Sequence, residues 1–206
     1  MDKTAKVFDT WATAGRSEEM EKGHGMSVSK FLGSVSFDKP FSFLDIGCGN
    51  GWVVRKIAQL PKCKKAVGID KSKNMIKKAK KTKITIKEQY YTTDLESCKF
   101  SAKFDIIFSM ESLYYSVPME PALRKVYKLL KNDGVFYCGT DFYKDNHLTT
   151  RWIKDMKISM DLRSETEWKK MFKEVGFKTR IKHVTDPKNK AKWKREFGTL
   201  FLIGKK

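Results

Sequence analysis

Residues 43–52 read FLDIGCGNGW, in which three glycines, Gly47, Gly49 and Gly51, follow directly on a short apolar run. An apolar run of this length predicts a buried strand, and closely spaced glycines predict a tight loop after it. Apolar residues within 53–58 then fall on one face of a helix. The stretch therefore predicts a strand–loop–helix unit whose loop backbone can approach a ligand closely.

The rest of the chain alternates between strand and helix patterns. Apolar or alternating runs predict further strands at 66–70, 103–110, 134–142, 177–183 and 197–204. Amphipathic spacing predicts helices over 72–81, 123–130 and 164–175. This alternation predicts an α/β fold, a doubly wound, mostly parallel sheet with helices on both faces. The last two strands have no clear helix between them, which predicts an antiparallel hairpin at one sheet edge.

Two segments do not follow the alternation. Residues 1–38 precede it, and we predict an N-terminal helical cap or lid there, placed on a domain of residues 39–206. Residues 184–196 are polar and rich in lysine, and we expect them to loop over the surface between the last two strands.

The net charge of +19 raises the question of an anionic partner such as nucleic acid. Only seven of the 43 basic residues are arginine, and the lysines are spread over the whole chain. Sites built to hold phosphate commonly use arginine forks as well as lysine. The charge therefore has two interpretations, genome composition or contact with nucleic acid, and we favour the first.

Neither export nor membrane insertion is indicated by the sequence. The N-terminus lacks the apolar run of a signal peptide, and no stretch approaches the roughly 18 apolar residues of a membrane span. Its four cysteines are far apart and form no CxxC pair. We therefore predict a cytoplasmic protein with no membrane span, no disulfide and no metal site.

The glycine loop differs from the phosphate-binding loop of dinucleotide enzymes. That loop has the pattern G-x-G-x-x-G, in which the third glycine permits close packing of helix and strand. Here the pattern is G-x-G-x-G, and the bulky Trp52 stands where the third glycine should be. Asp45, just before the loop, is unfavourable beside a pyrophosphate but suits a ligand that carries an ammonium group. The pattern favours a nucleoside ligand other than a dinucleotide.

These residues resemble the class I S-adenosylmethionine-dependent methyltransferases. LDIGCGNG at 44–51 looks like the first motif of that family, and Asp70 in VGIDKS and Asp94 in YYTTDLES match its two later acids. FDIIFSMESLYY and LLKNDGVFY are similar to its fourth strand and its entry into the fifth. The resemblance covers residues 40–140 strongly and implies a seven-stranded, Rossmann-like methyltransferase fold.

The resemblance also implies the cofactor, S-adenosylmethionine, with S-adenosylhomocysteine as its product. In the family, one acid holds the ribose hydroxyls and another lies near the adenine amine, which gives these roles to Asp70 and Asp94. The complete set of predicted cofactor-binding residues is Asp45, Gly47, Cys48, Gly49, Asn50, Gly51, Asp70, Lys71, Met75, Asp94, Leu95 and Met110.

Acceptor-binding residues are expected in three segments that surround the shared core, at 11–25, 110–118 and 141–152. The predicted substrate-binding residues are Trp11, His24, Tyr114, Asp141, Tyr143 and Trp152, and the predicted catalytic residues are Glu111, Tyr115 and His147. Glu111 is either a general base or a carboxylate that positions a donor, and the histidines are alternatively plain surface residues.

We predict a methyltransferase, monomeric or homodimeric, that acts on a small-molecule substrate. One alternative keeps the fold and cofactor with RNA (tRNA or rRNA) or protein as the acceptor. Nucleic acid is thus possible but not favoured, because the chain has no N-P-P-[YF] tetrapeptide and no appended RNA-binding module. A third interpretation is a nucleoside-binding protein without catalysis.

Overall fold

The computed structural model describes residues 3–206 and contains a single seven-stranded sheet. The strands lie in the order β3-β2-β1-β4-β5-β7-β6, and all pairs are parallel except those that β7 makes with β5 and β6. The strands are β1 (Phe41–Ile46), β2 (Cys63–Asp70), β3 (Glu88–Thr92), β4 (Phe104–Met110), β5 (Leu130–Thr140), β6 (Lys178–Val184) and β7 (Thr199–Lys205). β2 and β3 lie on one side of β1, whereas β4 and the later strands lie on its other side. Open α/β sheets bind ligands at such switch points.

Helices cover both faces of the sheet. They are α1 (Lys3–Thr13), α2 (Arg16–Leu32), α3 (Trp52–Ala58), α4 (Lys73–Lys81), α5 (Met119–Leu129), α6 (Trp152–Met156), α7 (Glu165–Val175) and α8 (Lys192–Glu196). Neighbouring residues of β1 point to opposite faces, so Leu44 belongs to the core beneath α5 and α7, whereas Phe43 belongs to the core beneath α2 and α3. The central strands are therefore buried on both sides, as parallel strands usually are.

The predicted doubly wound sheet and terminal antiparallel hairpin are confirmed. β7 lies inside the sheet between β5 and β6, so that β6 forms the edge. The predicted helix over 164–175 is confirmed too: Ser164 and Glu167 form a reciprocal capping box, and Gly176 ends the helix with a φ of +112°.

The expectation of a surface loop over 184–196 was wrong in part. The segment contains the short helix α8, and Lys194 within it is only 2% exposed. Its side chain extends inward to an ion pair with Asp141. The lysine-rich stretch does not predict this contact, because Asp141 lies far away in the sequence.

The N-terminal segment is helical, as predicted, although its residues 1 and 2 lie outside the described part of the chain. Gly15, at a φ of +78°, separates α1 from α2. α1 packs on α4, and α2 packs on the sheet with Phe31 stacked on Phe201. That residues 1–38 act as a lid stays a prediction. Across residues 3–206, no helix combines the length and the apolar character needed to cross a membrane.

Candidate functional site

One cavity lies at the carboxyl ends of β1, β2 and β4, beside the switch point of the sheet. Its floor consists of the glycine loop after β1 and of strand-end residues from β2 and β4. Its cover comes from the N-terminal helices, which contribute Phe8, Met20 and His24. Phe8 lies on α1, and Met20 and His24 lie on α2. The cavity is therefore covered only when both helices are docked on the sheet.

Two backbone hydrogen bonds to β2 hold the glycine loop. Gly47 and Cys48 both donate their N–H groups to the carbonyl of Ile69, at 2.9 and 3.0 Å. Gly47 has a φ of +71°, and a Cβ there would overlap the side chain of Ser112. Glycine is required at 47 for both reasons, the backbone conformation and the close approach.

Asp70, at the end of β2, holds this loop through its carboxylate. Its Oδ2 accepts the Gly49 N–H at 2.9 Å and its Oδ1 accepts the Ser72 N–H at 2.8 Å. Burial raises the pKa of this carboxyl group above its ordinary value, and the two N–H donors oppose that shift. Each oxygen retains a lone pair, so the carboxylate can still accept hydrogen bonds from a ligand in the cavity.

Asp45, on β1, is a buried carboxylate that borders the same cavity. It is 2% exposed and lines the cavity. Burial, followed by the charge of Asp70, raises its pKa well above the ordinary value. A hydrogen bond from a ligand would offset the cost of burying this acid, so Asp45 fits an amine or ammonium donor.

Glu111 lies at the other end of the cavity, directly after β4. Its φ is +53°, an uncommon conformation for a residue with a side chain, and its N–H donates to Gly139 O at 3.0 Å. One carboxylate oxygen accepts the Asp141 N–H, and the other accepts the Tyr114 hydroxyl at 2.9 Å. Burial, and next the charge of Asp141, raises the pKa of Glu111 to about 8.

Comparison with known proteins identifies this arrangement. The family model Methyltransf_11, a methyltransferase domain, matches residues 44–138, from β1 into β5. The matched domain and the relatives below support the class I S-adenosylmethionine-dependent methyltransferase family for this chain. This confirms the family that the motifs resemble and its cofactor, S-adenosylmethionine. The matched range contains the glycine loop, Asp70, Asp94 and Glu111.

Individual relatives agree with the assignment. The candidate methyltransferase solved in complex with the Haloferax volcanii Trm112 methyltransferase activator superimposes with a TM-score of 0.90, at 24% identity, with 96% of each chain covered. The ubiquinone biosynthesis O-methyltransferase of Pelagibacter ubique is 34% identical over 110 residues, which is 51% of this chain and 45% of that protein. The methyltransferase-like protein 235L of Invertebrate iridescent virus 6 is 26% identical over 161 residues, 78% of this chain and 56% of that one. The chain thus spans about half the length of the curated relatives it matches.

The structure brings most of the predicted residues of this methyltransferase to the cavity. Those that line it are Asp45, Gly47, Cys48, Gly49, Asn50, Asp70, Lys71, Met75, Asp94, Leu95, Met110, Glu111, Tyr115 and His24. Gly51 lies behind the loop, where a Cβ would meet the ring of Tyr90 at 2.6 Å. Tyr114 and Asp141 reach the site through their hydrogen bonds to Glu111.

Four further predicted residues lie away from the cavity. Trp11 packs on Phe8 and under Arg16, while His147 packs edge-on against Phe197 with ring centroids 4.9 Å apart. Tyr143 is buried and donates its hydroxyl to Phe197 O, and Trp152 lies against Phe142 and Trp193. These side chains pack within the protein, away from the cavity.

Lys194 and Asp9 are site-forming residues that sequence reasoning missed. Lys194 pairs with Asp141 at 2.6 Å, but in the sequence it is one lysine among many in a polar stretch. Asp9, on α1, accepts hydrogen bonds from the Ser72 hydroxyl at 2.5 Å and the Asn74 N–H at 3.0 Å. Neither position carries a local signal, because each partner lies more than 50 residues away.

We expect Glu111→Gln to reduce the loss of folding stability that occurs as pH rises from about 4.5 to about 8. Glu111 has a folded pKa of about 8 against an ordinary value of 4.5, so the folded chain binds more protons between these values. The free energy of unfolding therefore falls as pH rises from about 4.5 to about 8. Urea unfolding at pH 5 and pH 8 should show a smaller fall in Glu111→Gln, by at least ~1 kcal/mol, the equivalent of about one pKa unit.

Glu120→Gln is the matched control for this measurement. Glu120 is an exposed acid on α5 that pairs with Arg124. If Glu111→Gln and Glu120→Gln followed the wild-type pH dependence equally, the raised pKa of Glu111 would be contradicted.

Proposed function

We propose that this chain transfers the methyl group of S-adenosylmethionine to a small-molecule acceptor that binds between Glu111 and the N-terminal helices. The observation that carries the proposal is the cavity itself, which continues from the glycine loop to Glu111 beneath Phe8, Met20 and His24. A space covered by helices admits a small molecule entirely, whereas a macromolecule must insert a single group. The cytoplasmic location predicted from the sequence belongs to the same proposal.

The cofactor roles follow from the donor and acceptor character of the cavity. We propose that Asp70 accepts the ribose hydroxyls, that Asp45 accepts the ammonium of the methionine part, and that Leu95 and Asp94 contact the adenine ring and its amine. The buried Asp45 carboxylate at the cavity and the open lone pairs of Asp70 support this fit. When bound, S-adenosylmethionine supplies a methyl group on a sulfonium sulfur, a leaving group that is already activated.

The chain's contribution to the transfer is then orientation, exclusion of water and handling of one proton. Positioning alone supplies roughly 7–11 kcal/mol in well-oriented reactions. We propose that Glu111 takes the acceptor's proton, because its pKa of about 8 lies near the operating pH and it borders the cavity. Tyr114 and the Asp141 N–H fix the direction of that carboxylate.

Asp70→Ala should weaken binding of S-adenosylhomocysteine by about 1–3 kcal/mol, roughly 5- to 150-fold in Kd. The substitution removes the proposed ribose acceptor and also frees the Gly49 N–H that Asp70 holds. Calorimetry on the folded variant measures the effect. Asp105→Ala is the matched control: this acid also lies on a parallel strand, but it pairs with Ser42 and Lys131 away from the cavity. Equal Kd values for wild type and Asp70→Ala would refute the role of Asp70.

The acceptor class is tested with methyl-labelled S-adenosylmethionine and fractionated cell extract. We expect label in the small-molecule fraction, with the label lost when Glu111 is changed to Gln. Label that enters only RNA or only protein would overturn the small-molecule proposal and favour the alternative acceptors. Binding of the cofactor without label in any fraction would favour a nucleoside-binding protein.

We further propose that the chain works with an activator subunit bound at the β3 edge of the sheet. The solved protein that superimposes at a TM-score of 0.90 is in complex with the Trm112 methyltransferase activator. In this chain, three large apolar residues lie exposed around β3, namely Ile84 at 58%, Ile86 at 94% and Tyr91 at 44%. The opposite edge, β6, instead carries basic residues within KTRIKH. Lys83 and Lys87 also lie beside β3. Large exposed apolar side chains occur at this edge and not on β6, so β3 is the edge better suited to a protein partner.

Ile86→Lys combined with Ile84→Lys should abolish complex formation with a Trm112-type activator from the same organism. The two changes place charge on the proposed interface, and both side chains are exposed, so folding should be unaffected. Size-exclusion chromatography of the co-expressed pair measures the complex. Val117→Lys is the control, since Val117 is 54% exposed in a loop beyond β4. A complex that survives the double change but not Val117→Lys would place the partner elsewhere.

A further inference from the structure

A buried polar cluster joins the N-terminal helices to the end of the chain beside the cavity. Lys194, on α8, lies 2.6 Å from Asp141 Oδ2, 3.0 Å from the Thr199 hydroxyl and 3.1 Å from His24 Nδ1. Thr199 in turn donates to Asp141 Oδ1 at 2.7 Å. The Lys194 and Asp141 side chains are 3% and 0% exposed. Lys194 and Thr199 lie close to the end of the chain, whereas His24 belongs to α2.

The geometry of Lys194 determines which nitrogen of His24 carries a proton. An ammonium group has three donors and no acceptor, and its three neighbours here are an acid, a hydroxyl and His24 Nδ1. Nδ1 must therefore accept, with its lone pair directed at Lys194. In a neutral ring the proton then lies on Nε2, and among residues 3–206 no partner of Nε2 is found.

We infer that Lys194 is a positioning residue that holds His24 as the neutral Nε2–H tautomer, so that α2 presents a hydrogen-bond donor, and not a base, to the methyl acceptor. This inference rests on the proposed function, because it assumes that the acceptor occupies the end of the cavity that His24 borders. Removal of a proton from the acceptor is left to Glu111, which is linked to the same cluster through the Asp141 N–H.

The charges around His24 support the neutral form. Lys194 approaches from α8 and Asp141 from the end of β5. Burial, and next the charge of Lys194, lowers the pKa of His24 to about 4, and Asp141 at 3.6 Å opposes the shift only in part. His24 is thus neutral at physiological pH, although a carboxylate lies nearby.

The inference narrows the class of acceptor. A fixed Nε2–H group stabilises an oxygen lone pair next to the methylated atom, as in a carboxylate, carbonyl or hydroxyl compound. An acceptor with an ammonium group at this position would direct its own N–H donors at the Nε2–H donor of His24, which is unfavourable. We therefore assign the acceptor to the class of oxygen-bearing small molecules rather than simple amines.

Imidazole nitrogen NMR tests the tautomer without any knowledge of the acceptor. The chain has three histidines, so the spectrum of the full-length protein saturated with S-adenosylhomocysteine is simple. We expect His24 to show the Nε2–H pattern, unchanged between pH 6 and pH 8. In Lys194→Met, the Asp141 carboxylate loses its cation, and His24 should gain a proton on Nδ1 and become charged near neutral pH.

Lys192→Met is the matched control on the same helix, because Lys192 is exposed and, within residues 3–206, forms its ion pair with Glu196. It should leave the His24 signals in place. A wild-type His24 that is charged or protonated on Nδ1 at pH 7 would overturn the inference, as would a Lys194→Met spectrum identical to wild type. If Lys194→Met fails to fold, the wild-type spectrum alone decides.

Two substitutions at His24 test the donor role. Glutamine can place an N–H close to the position of Nε2, whereas leucine removes the donor at similar size. In the label assay with cell extract, His24→Leu should lower the rate of labelling about 10-fold and His24→Gln should restore most of it. Both variants should bind S-adenosylhomocysteine with the wild-type Kd.

The outcomes separate this inference from the proposed function. Equal rates for His24→Gln and His24→Leu would refute the donor role while label still enters small molecules. Label that enters another fraction in the wild type would refute the small-molecule acceptor, and the NMR result on Lys194 would stand by itself.

Discussion

The Asp70 carboxylate is the contact on which the site depends. It accepts N–H groups from Gly49 and Ser72, and so it fixes both the loop after β1 and the start of α4. Ser72 then donates its hydroxyl to Asp9 of α1. A single acid at the end of β2 thus connects the glycine loop, a core helix and the N-terminal helices. An acid is needed there because only a carboxylate accepts two N–H groups and still has lone pairs directed at a ligand.

The N-terminal helices are attached to the core in two different ways. α2 has an apolar face that includes Val28 and Phe31 and packs deep in the core. α1 buries little, since Ala12 is its one fully buried residue among residues 3–13, and polar contacts such as Asp9 with Ser72 hold it. Segments with few buried apolar contacts open at low free energy cost. α1 is therefore held less firmly than α2, the helix that carries His24.

Much of the fold could be predicted from local sequence. The glycine loop, the apolar strand at 103–110 and the capping box of Ser164 each carry their signal within a few residues, and all three are found in the structure. The resemblance to the methyltransferase family assigns roles to the acids at 70 and 94, and both line the cavity. Local patterns suffice here because strand ends of a parallel sheet meet at one edge.

The rest depends on contacts between distant parts of the chain. His147 and Trp152 follow β5 and seemed well placed by order alone, but their rings pack against Phe197 and Trp193. The sequence does not single out Lys194, because it contains many lysines and does not distinguish a buried one from an exposed one. The ion pair with Asp141 exists only because α8 folds back beside α2. No rule based on residue spacing predicts this contact.

The acids of the cavity also determine how the protein responds to salt. Asp45, Asp70, Asp94 and Glu111 line one pocket, yet the chain as a whole carries a net charge of +19. An approaching cation is repelled at long range and attracted once inside. At about 0.1 M salt the Debye length is about 10 Å, so the repulsion is screened, while the acids that are ionised inside the cavity act almost undiminished at short range. Capture of a cationic sulfonium ligand should thus become faster as ionic strength rises, the opposite of the behaviour expected for an anion that binds the lysine-rich exterior.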